Sequence, residues 1–542
     1  MNTPGIKNKF KRFSLPGNDY FLIILLWSVL TVINIDKAFH IDDTFHLEAA
    51  ESIRNNPLKP MTGLINWGDV PTPLHHYNQP PLFFYCIALV SGVFGTNEVI
   101  LHLLLSLFTF LCLFFFYRIS RILLLQKVRI LLILFAFCPA LIINQNVMTD
   151  VPVLALILGS AYFLFKANNS RKMIDYSLSA FLLGAGLLIK YSLLPLMVVL
   201  ILVILARRDY KSLFVLFIPM FMLFIWSLWN YYDFGAIHIL GRSGGSVHIR
   251  DFWTFMACLG SVSAFTASVV CGLLPYKIFR RIVYFIPVIF IISVILFINN
   301  LIPENQFSEY LNFSFIINGI IISTTLVISL LSDFKIMGIR KFITSDVFIL
   351  LLYIGSLSAF IIIFAPFIAT RHILLVIPFI LLLGHKLINK APPGINRLSI
   401  AASVVLGLAL GISDWKYADY YRQMAADINL PGNKNVWTAG HWGWQWYSKK
   451  NGMKQYDMNQ SEVKEGDYFV YPGDIAKQNI GKNIHLAIIG KKWQEATFLT
   501  LFSGHDHASL YESYIDKPPW RLSKRPVDTI YICRIEIQRK PQ

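Results

Sequence analysis

The chain has 542 residues, of which 55% are hydrophobic, 15% aromatic and only 15% charged, a composition that ordinary soluble domains do not show. The formal net charge of +17 is typical of a polytopic membrane protein with basic cytoplasmic loops. Nucleic-acid binding is not favoured, because no basic stretch alternates with aromatic residues as a strand-binding groove requires.

The N-terminus carries basic residues ahead of the apolar run Tyr20–Ile35, without a small-residue cleavage site after it. This pattern predicts a retained signal anchor with a cytoplasmic N-terminus. The six cysteines form no CxxC motif and no Cys/His zinc spacing. We therefore predict no metal site and no cofactor, and leave a divalent ion open.

Thirteen membrane spans are predicted from apolar runs and from the charges between them. They lie at about 20–36, 97–117, 130–147, 150–166, 174–190, 191–206, 211–230, 252–274, 281–299, 311–331, 346–365, 372–388 and 398–412. The segment Pro80–Phe94 is also apolar, but a crossing there would place the basic loop Arg118–Arg129 outside and invert every later basic loop. It is therefore expected to lie along the outer surface.

The composition changes at Ser413 to polar and aromatic residues. Five stretches have strand-like composition: "NVWTA", "YFVY", "IHLAII", "TFLTLF" and "TIYICRIEI". The sequence thus predicts an α-helical membrane domain over residues 1–412, with an outer juxtamembrane loop at 37–96. A small external α/β domain is predicted over residues 413–542.

An adjacent pair of acids, Asp42 and Asp43, follows the first span in "FHIDDTFH". Phe45, Ala49 and Ile53 then recur at helical spacing, so Asp43 or Thr44 could cap an amphipathic helix. The pair fits either a helix N-terminus or a catalytic acid at the membrane surface.

Three further charged residues are predicted on the same side of the membrane. Asp150 lies at the outer mouth of the fourth span, Lys190 at a break between two spans, and Arg371 at the start of the twelfth. Each alone fits an interfacial anchor. Together they could hold the head group of a phosphorylated lipid.

Five segments in order resemble a known family: "IDDTFHLEAA", "NQPPLFFYCIALVSGVFGTNEVILHL", "MTDVP", "GLLIKYSLLP" and "TRHILLVIP". They are similar to polyprenyl-phosphate-sugar transferases of the GT-C type. These are bacterial members of glycosyltransferase family 39, related to protein O-mannosyltransferases and to the lipid A aminoarabinose transferase. The resemblance covers about the first 400 residues and implies a GT-C membrane fold.

The resemblance implies roles for matching positions. Asp42 is implied as the catalytic base with Asp43 in reserve, and Asp150 helps to arrange the site. The donor phosphate would be held by Lys190, Arg371 and, in "ILGRSGGS", Arg242. Gln79, Tyr191 and His372 would line the substrate pocket, although Gln79 stands where relatives have a charged residue and His372 where an aromatic is usual.

The predicted function is transfer of a sugar from a polyprenyl-phosphate donor to an envelope acceptor, which is a lipid, polysaccharide or protein. The reaction would take place on the outer face of a bacterial inner membrane, and a single general base predicts inversion. A secondary transporter or flippase is the alternative, although no repeated halves or mid-span acids support it. A scaffold whose "GHWGWQWYSKK" aromatics bind glycan is a third interpretation; such aromatics also fill domain cores.

Overall fold

The computed structural model describes residues 17–241, 249–273, 288–432, 434–505, 510–512 and 517–537, which form a helical bundle followed by a mixed sheet. The helices are α1 Gly17–Asn34, α2 Asp43–Asn55, α3 Leu82–Phe94, α4 Glu98–Ile122, α5 Val128–Ala136, α6 Pro139–Ile143, α7 Asp150–Ser170, α8 Met173–Leu187, α9 Leu194–Ala206, α10 Phe217–Phe234, α11 Ile249–Val262, α12 Thr266–Val270, α13 Val288–Ile298, α14 Glu304–Phe342, α15 Asp346–Phe364, α16 Thr370–Ile373, α17 Ile377–Leu383, α18 His385–Lys390, α19 Pro393–Ala426 and α20 Trp442–Lys450.

Two sheets are present in this part of the chain. Strands β1 Leu64–Ile65 and β2 Thr72–Pro73 form a short antiparallel ladder. The second sheet has the order β4-β3-β5-β7-β6, with β3 parallel to β4 and β5 and with β7 antiparallel to β5 and β6. Its strands are β3 Val436–Thr438, β4 Lys454–Gln455, β5 Tyr468–Pro472, β6 Ile484–Trp493 and β7 Thr529–Ile537.

Four of the five strands expected after residue 413 are present. The strand expected at "TFLTLF" is wrong, because Thr497 and Thr500 form a local turn there. The hydroxyl of Thr500 accepts from the Thr497 backbone N–H at 2.8 Å, and the Thr497 carbonyl accepts from the Thr500 N–H at 2.9 Å. Threonine side chains that bond locally in this way compete with a sheet ladder. The two-residue strand β4 is too short for a sequence pattern to reveal it.

Within the described part of the chain, six helices are long and apolar enough to cross a membrane: α4, α7, α14, α15, α19 and the segment Tyr210–Phe234, which includes α10. Each predicted span contains helical residues, although the number of thirteen crossings stays a prediction. The span expected at 130–147 is divided between α5 and α6, where Pro139 lacks the N–H that a continuous helix needs. The span expected at 372–388 is divided into α16, α17 and α18.

Helix α19 continues to Ala426, so the predicted domain boundary at residue 412 lies inside a continuous helix. The change of composition at Ser413 marks the point where this helix becomes polar. Helix α3 contains 13 residues, and a rise of 1.5 Å per residue gives it a length of about 20 Å, short of a hydrocarbon core of about 30 Å. Helix α9, which lies in a predicted span, also has 13 residues, so length alone does not distinguish the two cases and the juxtamembrane position of Pro80–Phe94 stays a prediction.

Helix α20 connects the C-terminal residues to helix α2. The Trp442 carbonyl accepts a hydrogen bond from Thr44 at 2.7 Å, and Gln445 donates to Glu48 at 2.6 Å. Trp444 and Tyr447 are fully buried. Trp444 and Tyr447 of "GHWGWQWYSKK" therefore fill a domain core, which is one of the two interpretations given above for these aromatic residues.

Helices α11 and α14 approach each other closely at two glycines. A Cβ atom on Gly260 would lie 1.9 Å from the Phe315 carbonyl oxygen, and one on Gly319 would lie 2.1 Å from the Met256 carbonyl oxygen. Small residues allow such close backbone contact between membrane helices, where packing replaces the hydrophobic effect as the source of association. The crossing therefore depends on the absence of side chains at both positions.

We expect Gly260→Ala to lower the thermal unfolding midpoint by several degrees, since overpacking a backbone contact costs about 1–3 kcal/mol. Gly355→Ala is the matched control in α15, because nothing lies within 4 Å of its added Cβ. The measurement is thermal unfolding of the two purified variants in the same detergent. Equal midpoints would show that the α11–α14 crossing can relax at no cost.

Candidate active site

The backbone before α2 brings the first acid into position. Ile41, which is buried, adopts a positive φ of 49°, an uncommon conformation for a β-branched residue. Asp42 follows it immediately and precedes the first residue of α2. One oxygen of Asp42 lies 2.6 Å from Nη1 of Arg371, whose side chain is 10% exposed. The chain thus accepts local strain where it places a candidate catalytic acid.

A second ion pair joins Asp150 and Lys190. Asp150 is the first residue of α7, where the positive end of the helix dipole favours a carboxylate. Lys190 lies in the break after α8 and donates to Asp150 Oδ1 at 2.8 Å. The Asp150 side chain is 2% exposed, so its charge depends on this partner.

The two ion pairs belong to one cluster. Arg371 interacts electrostatically with both Asp42 and Asp150. His372 interacts with Lys190, Arg371 and Asp150. Two carboxylates and two cations from four distant stretches of the chain therefore meet, as the sequence predicted for these residues.

Arg371 retains an unused donor. Its Nη1 contacts Asp42, whereas its Nε–H is buried and has no acceptor among the described residues. The guanidinium also lies 5.2 Å from the centroid of the Phe367 ring. This aromatic contact comes from four residues before Arg371, whereas His372 occupies the position where the family has an aromatic. A buried N–H without an acceptor is costly unless a ligand supplies one.

Asp43 takes part in neither of these two ion pairs. It is fully buried, and its Oδ2 accepts a hydrogen bond from the His40 backbone N–H at 2.8 Å. Burial raises the pKa of Asp43 to about 8. The cap expected from Asp43 or Thr44 is wrong: helix α2 begins at Asp43, and Thr44 bonds to Trp442 instead.

The predicted pocket residues have different partners. Gln79 Oε1 lies 2.7 Å from Nε2 of His46, a buried residue one turn after Asp42 that interacts electrostatically with Asp42, Asp150 and Arg371. Sequence analysis missed His46, although its spacing of four residues from Asp42 on a helix was a usable signal. Arg242 lies outside the described residues.

Tyr191 is held by its own hydrogen bonds beside Lys190. Its hydroxyl lies 2.9 Å from Nδ1 of His238 and accepts from Nε1 of Trp226 at 3.1 Å. His238 Nε2 lies 2.7 Å from the Tyr77 carbonyl, so Nε2 carries the proton and Nδ1 accepts from Tyr191. The tyrosine hydroxyl therefore fixes the backbone next to Lys190.

A third ion pair, which sequence analysis did not predict, lies next to the loop that leads to Asp150. Lys37 Nζ contacts Asp414 and Asn146 and donates to the Ile143 carbonyl at 3.3 Å. Both charged side chains are excluded from solvent. The pair joins the end of α1, the middle of α19 and the loop that leads to Asp150.

Comparison with known proteins agrees with the predicted resemblance. Residues 78–231 match the model of the family described as dolichyl-phosphate-mannose-protein mannosyltransferase. The predicted resemblance to GT-C glycosyltransferases is thereby confirmed over this stretch. The described residues contain six membrane-length helices, so the chain is a multi-pass membrane protein. The matched range contains Asp150 and Lys190, whereas Asp42 and Arg371 lie outside it. No curated protein matches the chain.

Three solved structures match the chain at low sequence identity. ArnT from Cupriavidus metallidurans bound to undecaprenyl phosphate has 12% identity and a TM-score of 0.39, over 85% of this chain and 94% of that chain. The Archaeoglobus fulgidus oligosaccharyltransferase tethered with an acceptor peptide has 10% identity and a TM-score of 0.44, over 80% and 64%. The arabinofuranosyltransferase AftD from Mycobacteria has 12% identity and a TM-score of 0.40, over 94% and 39%.

The raised pKa of Asp43 predicts a pH dependence of stability. The unfolded chain loses this proton near pH 4, whereas the folded chain keeps it up to about pH 8. The folded state thus binds more protons between these values, and the free energy of unfolding falls as the pH rises through this window. Asp43→Asn removes that dependence while keeping an oxygen that can accept from His40.

We therefore expect the unfolding midpoint of Asp43→Asn, relative to the natural protein, to rise steadily from pH 5 to pH 8. Glu51→Gln, on an exposed residue of the same helix, is the control and should show little trend. The measurement is thermal unfolding at unit pH steps. A flat or falling difference would mean that Asp43 is ionised in the folded protein.

Proposed function

We propose that the protein transfers a sugar from a polyprenyl-phosphate donor to an acceptor hydroxyl in the cell envelope, on the outer face of the inner membrane. The observation that supports this most directly is the buried Nε–H of Arg371, which lacks an acceptor among the described residues. Arg371 lies in a cluster of two ion pairs, next to a helix dipole and a lysine. An anion with several oxygens, such as a phosphodiester, fits these donors.

The donor phosphate would bind to Lys190 and Arg371. A lysine has three N–H donors and an arginine has five, so one contact to a carboxylate leaves donors on each for a phosphate oxygen. Asp150 and Asp42 hold these cations in place before the donor arrives. Charges fixed in advance stabilise the negative charge that grows on the leaving polyprenyl phosphate, which is usually the largest contribution to catalysis.

Asp42 would act as the general base. As the acceptor oxygen forms its bond to the anomeric carbon, its proton passes to the Asp42 carboxylate and the bond from that carbon to the phosphate oxygen breaks. The products are the glycosylated acceptor and polyprenyl phosphate, and displacement in one step inverts the anomeric carbon. Asp43 is less suited to this role, because it accepts a hydrogen bond from the His40 N–H and its pKa, raised by burial to about 8, favours a protonated carboxyl at neutral pH.

The remaining residues would shape the pocket. Asp150 orients Lys190, Tyr191 fixes the backbone beside it, and His372 and Gln79 line the space around the cations. Arg242 would add a phosphate contact, on the strength of the family resemblance. The partners are a lipid-linked sugar, an envelope acceptor and the bilayer, with the C-terminal residues outside the membrane.

Replacement of the cations should weaken donor binding. We expect Arg371→Gln and Lys190→Gln each to raise the Kd for undecaprenyl phosphate at least about tenfold, because a charge-assisted hydrogen bond is worth about 1.5–3 kcal/mol. Arg129→Gln is the control, since it removes a cation of a more exposed ion pair with Asp19. Binding is measured on purified protein of matched thermal stability. Unchanged affinity in both site variants would mean that Lys190 and Arg371 are interfacial anchors and do not bind the phosphate.

The two adjacent acids should differ in their effect on transfer. We expect Asp42→Asn to reduce the transfer rate by about a hundredfold or more, since an amide cannot accept the proton near neutral pH. Asp43→Asn should retain most of the activity, because the amide resembles a protonated carboxyl. Transfer of radiolabelled sugar to an envelope extract measures both. A dead Asp43→Asn with an active Asp42→Asn would reverse the assignment.

A further inference from the structure

A short C-terminal segment, Leu510–Glu512, reaches the loop that leads to Asp150. The Tyr511 hydroxyl lies 2.8 Å from the Ile143 carbonyl and 2.9 Å from Asp414 Oδ2, and it accepts from Nδ2 of Asn146 at 2.9 Å. Tyr511 is 2% exposed. Ile143 ends α6 and Asn146 lies four residues before Asp150, so Tyr511 holds both sides of the turn that delivers this carboxylate.

The same segment contacts the side chain of Thr370, the residue before Arg371. The Leu510 carbonyl accepts a hydrogen bond from Thr370 Oγ1 at 2.6 Å, one residue before Arg371. Glu512 interacts electrostatically with Arg371 and so adds a third negative charge near this cation, after Asp42 and Asp150. The segment therefore reaches Arg371 through the side chain of the preceding Thr370 and through charge.

Tyr511 also touches the chain before Asp42. Its ring lies edge-on to the His40 ring, with centroids 5.9 Å apart and an interplanar angle of 83°. His40 lies two residues before Asp42, and its backbone N–H is fixed by Asp43. Tyr511 therefore contacts the stretches of chain that carry Asp42 and Asp150. Its neighbour Leu510 contacts the stretch that carries Arg371.

We propose that the Leu510–Glu512 segment belongs to the donor-phosphate site. Tyr511 is a positioning residue that sets the distance between the two ion pairs, and Glu512 adjusts the charge that Arg371 presents to an anion. This inference rests on the proposed function. A tyrosine that only fills the core would affect stability alone, whereas a positioning residue changes phosphate affinity at equal stability.

The first test compares two buried tyrosine hydroxyls. Tyr420 is as buried as Tyr511, but its hydroxyl donates to the Asp528 carbonyl at 2.6 Å. We expect Tyr511→Phe to raise the Kd for undecaprenyl phosphate about tenfold, whereas Tyr420→Phe should lower the unfolding midpoint comparably with little change in Kd. Calorimetric or fluorescence titration of the purified full-length protein gives both Kd values.

The second test removes the negative charge of Glu512, and it is expected to strengthen binding where the first test weakens it. Glu512→Gln should strengthen undecaprenyl phosphate binding about threefold at low salt, and the gain should shrink in high salt as screening increases. Glu495→Gln, at an exposed residue of the C-terminal region, is the control. A core-filling role predicts no such gain.

The proposal is overturned if Tyr511→Phe and Tyr420→Phe have the same Kd, or if Glu512→Gln leaves binding unchanged at low salt. Should Tyr511→Phe fail to fold, the Glu512→Gln result decides alone. If the natural protein does not bind undecaprenyl phosphate at all, the proposed function fails together with this inference. That outcome is distinct from normal binding that the variants leave unaffected.

Discussion

Charge compensation at a poorly hydrated site is the constraint on which the rest of the structure depends. Arg371 and Lys190 can remain there only because Asp42 and Asp150 lie within 2.8 Å of them. The ion pairs do not satisfy every hydrogen-bond donor, since Arg371 keeps a buried Nε–H without an acceptor among the described residues. The two ion pairs therefore stabilise the buried cations and still leave one N–H donor of Arg371 available for an anion.

The site depends on contacts between parts of the chain that the sequence places far apart. The buried pair of Lys37 and Asp414 joins the first helix to α19 across 377 residues. Helix α20 contacts helix α2, and the Leu510–Glu512 segment contacts the stretches that lead to Asp150 and Arg371. The C-terminal residues thus share their contacts with the helical bundle, and a change in either region can reach the ion pairs.

The sequence predicted the resemblance to GT-C enzymes, the helix that follows Asp42, four strands and the four charged residues of the two ion pairs, Asp42, Asp150, Lys190 and Arg371. These features follow from local patterns, namely apolar runs, helical spacing and ordered motifs. It did not predict which acid pairs with which base, because the Asp42–Arg371 contact spans 329 residues and no local pattern encodes it. The Lys37–Asp414 pair and the contacts of Tyr511 were missed for the same reason. The continuity of α19 was missed because its composition becomes polar at Ser413 while the helix continues.

The central claim is that a polyprenyl phosphate binds between Lys190 and Arg371 with Asp42 beside the reacting carbon. The most direct measurement is an experimental structure of the protein with undecaprenyl phosphate. The account predicts phosphate oxygens within hydrogen-bond distance of Lys190 Nζ and of the Arg371 guanidinium, including its Nε, with Asp42 free on the side where the sugar would lie. A phosphate bound away from both cations, with the two ion pairs undisturbed, would contradict it.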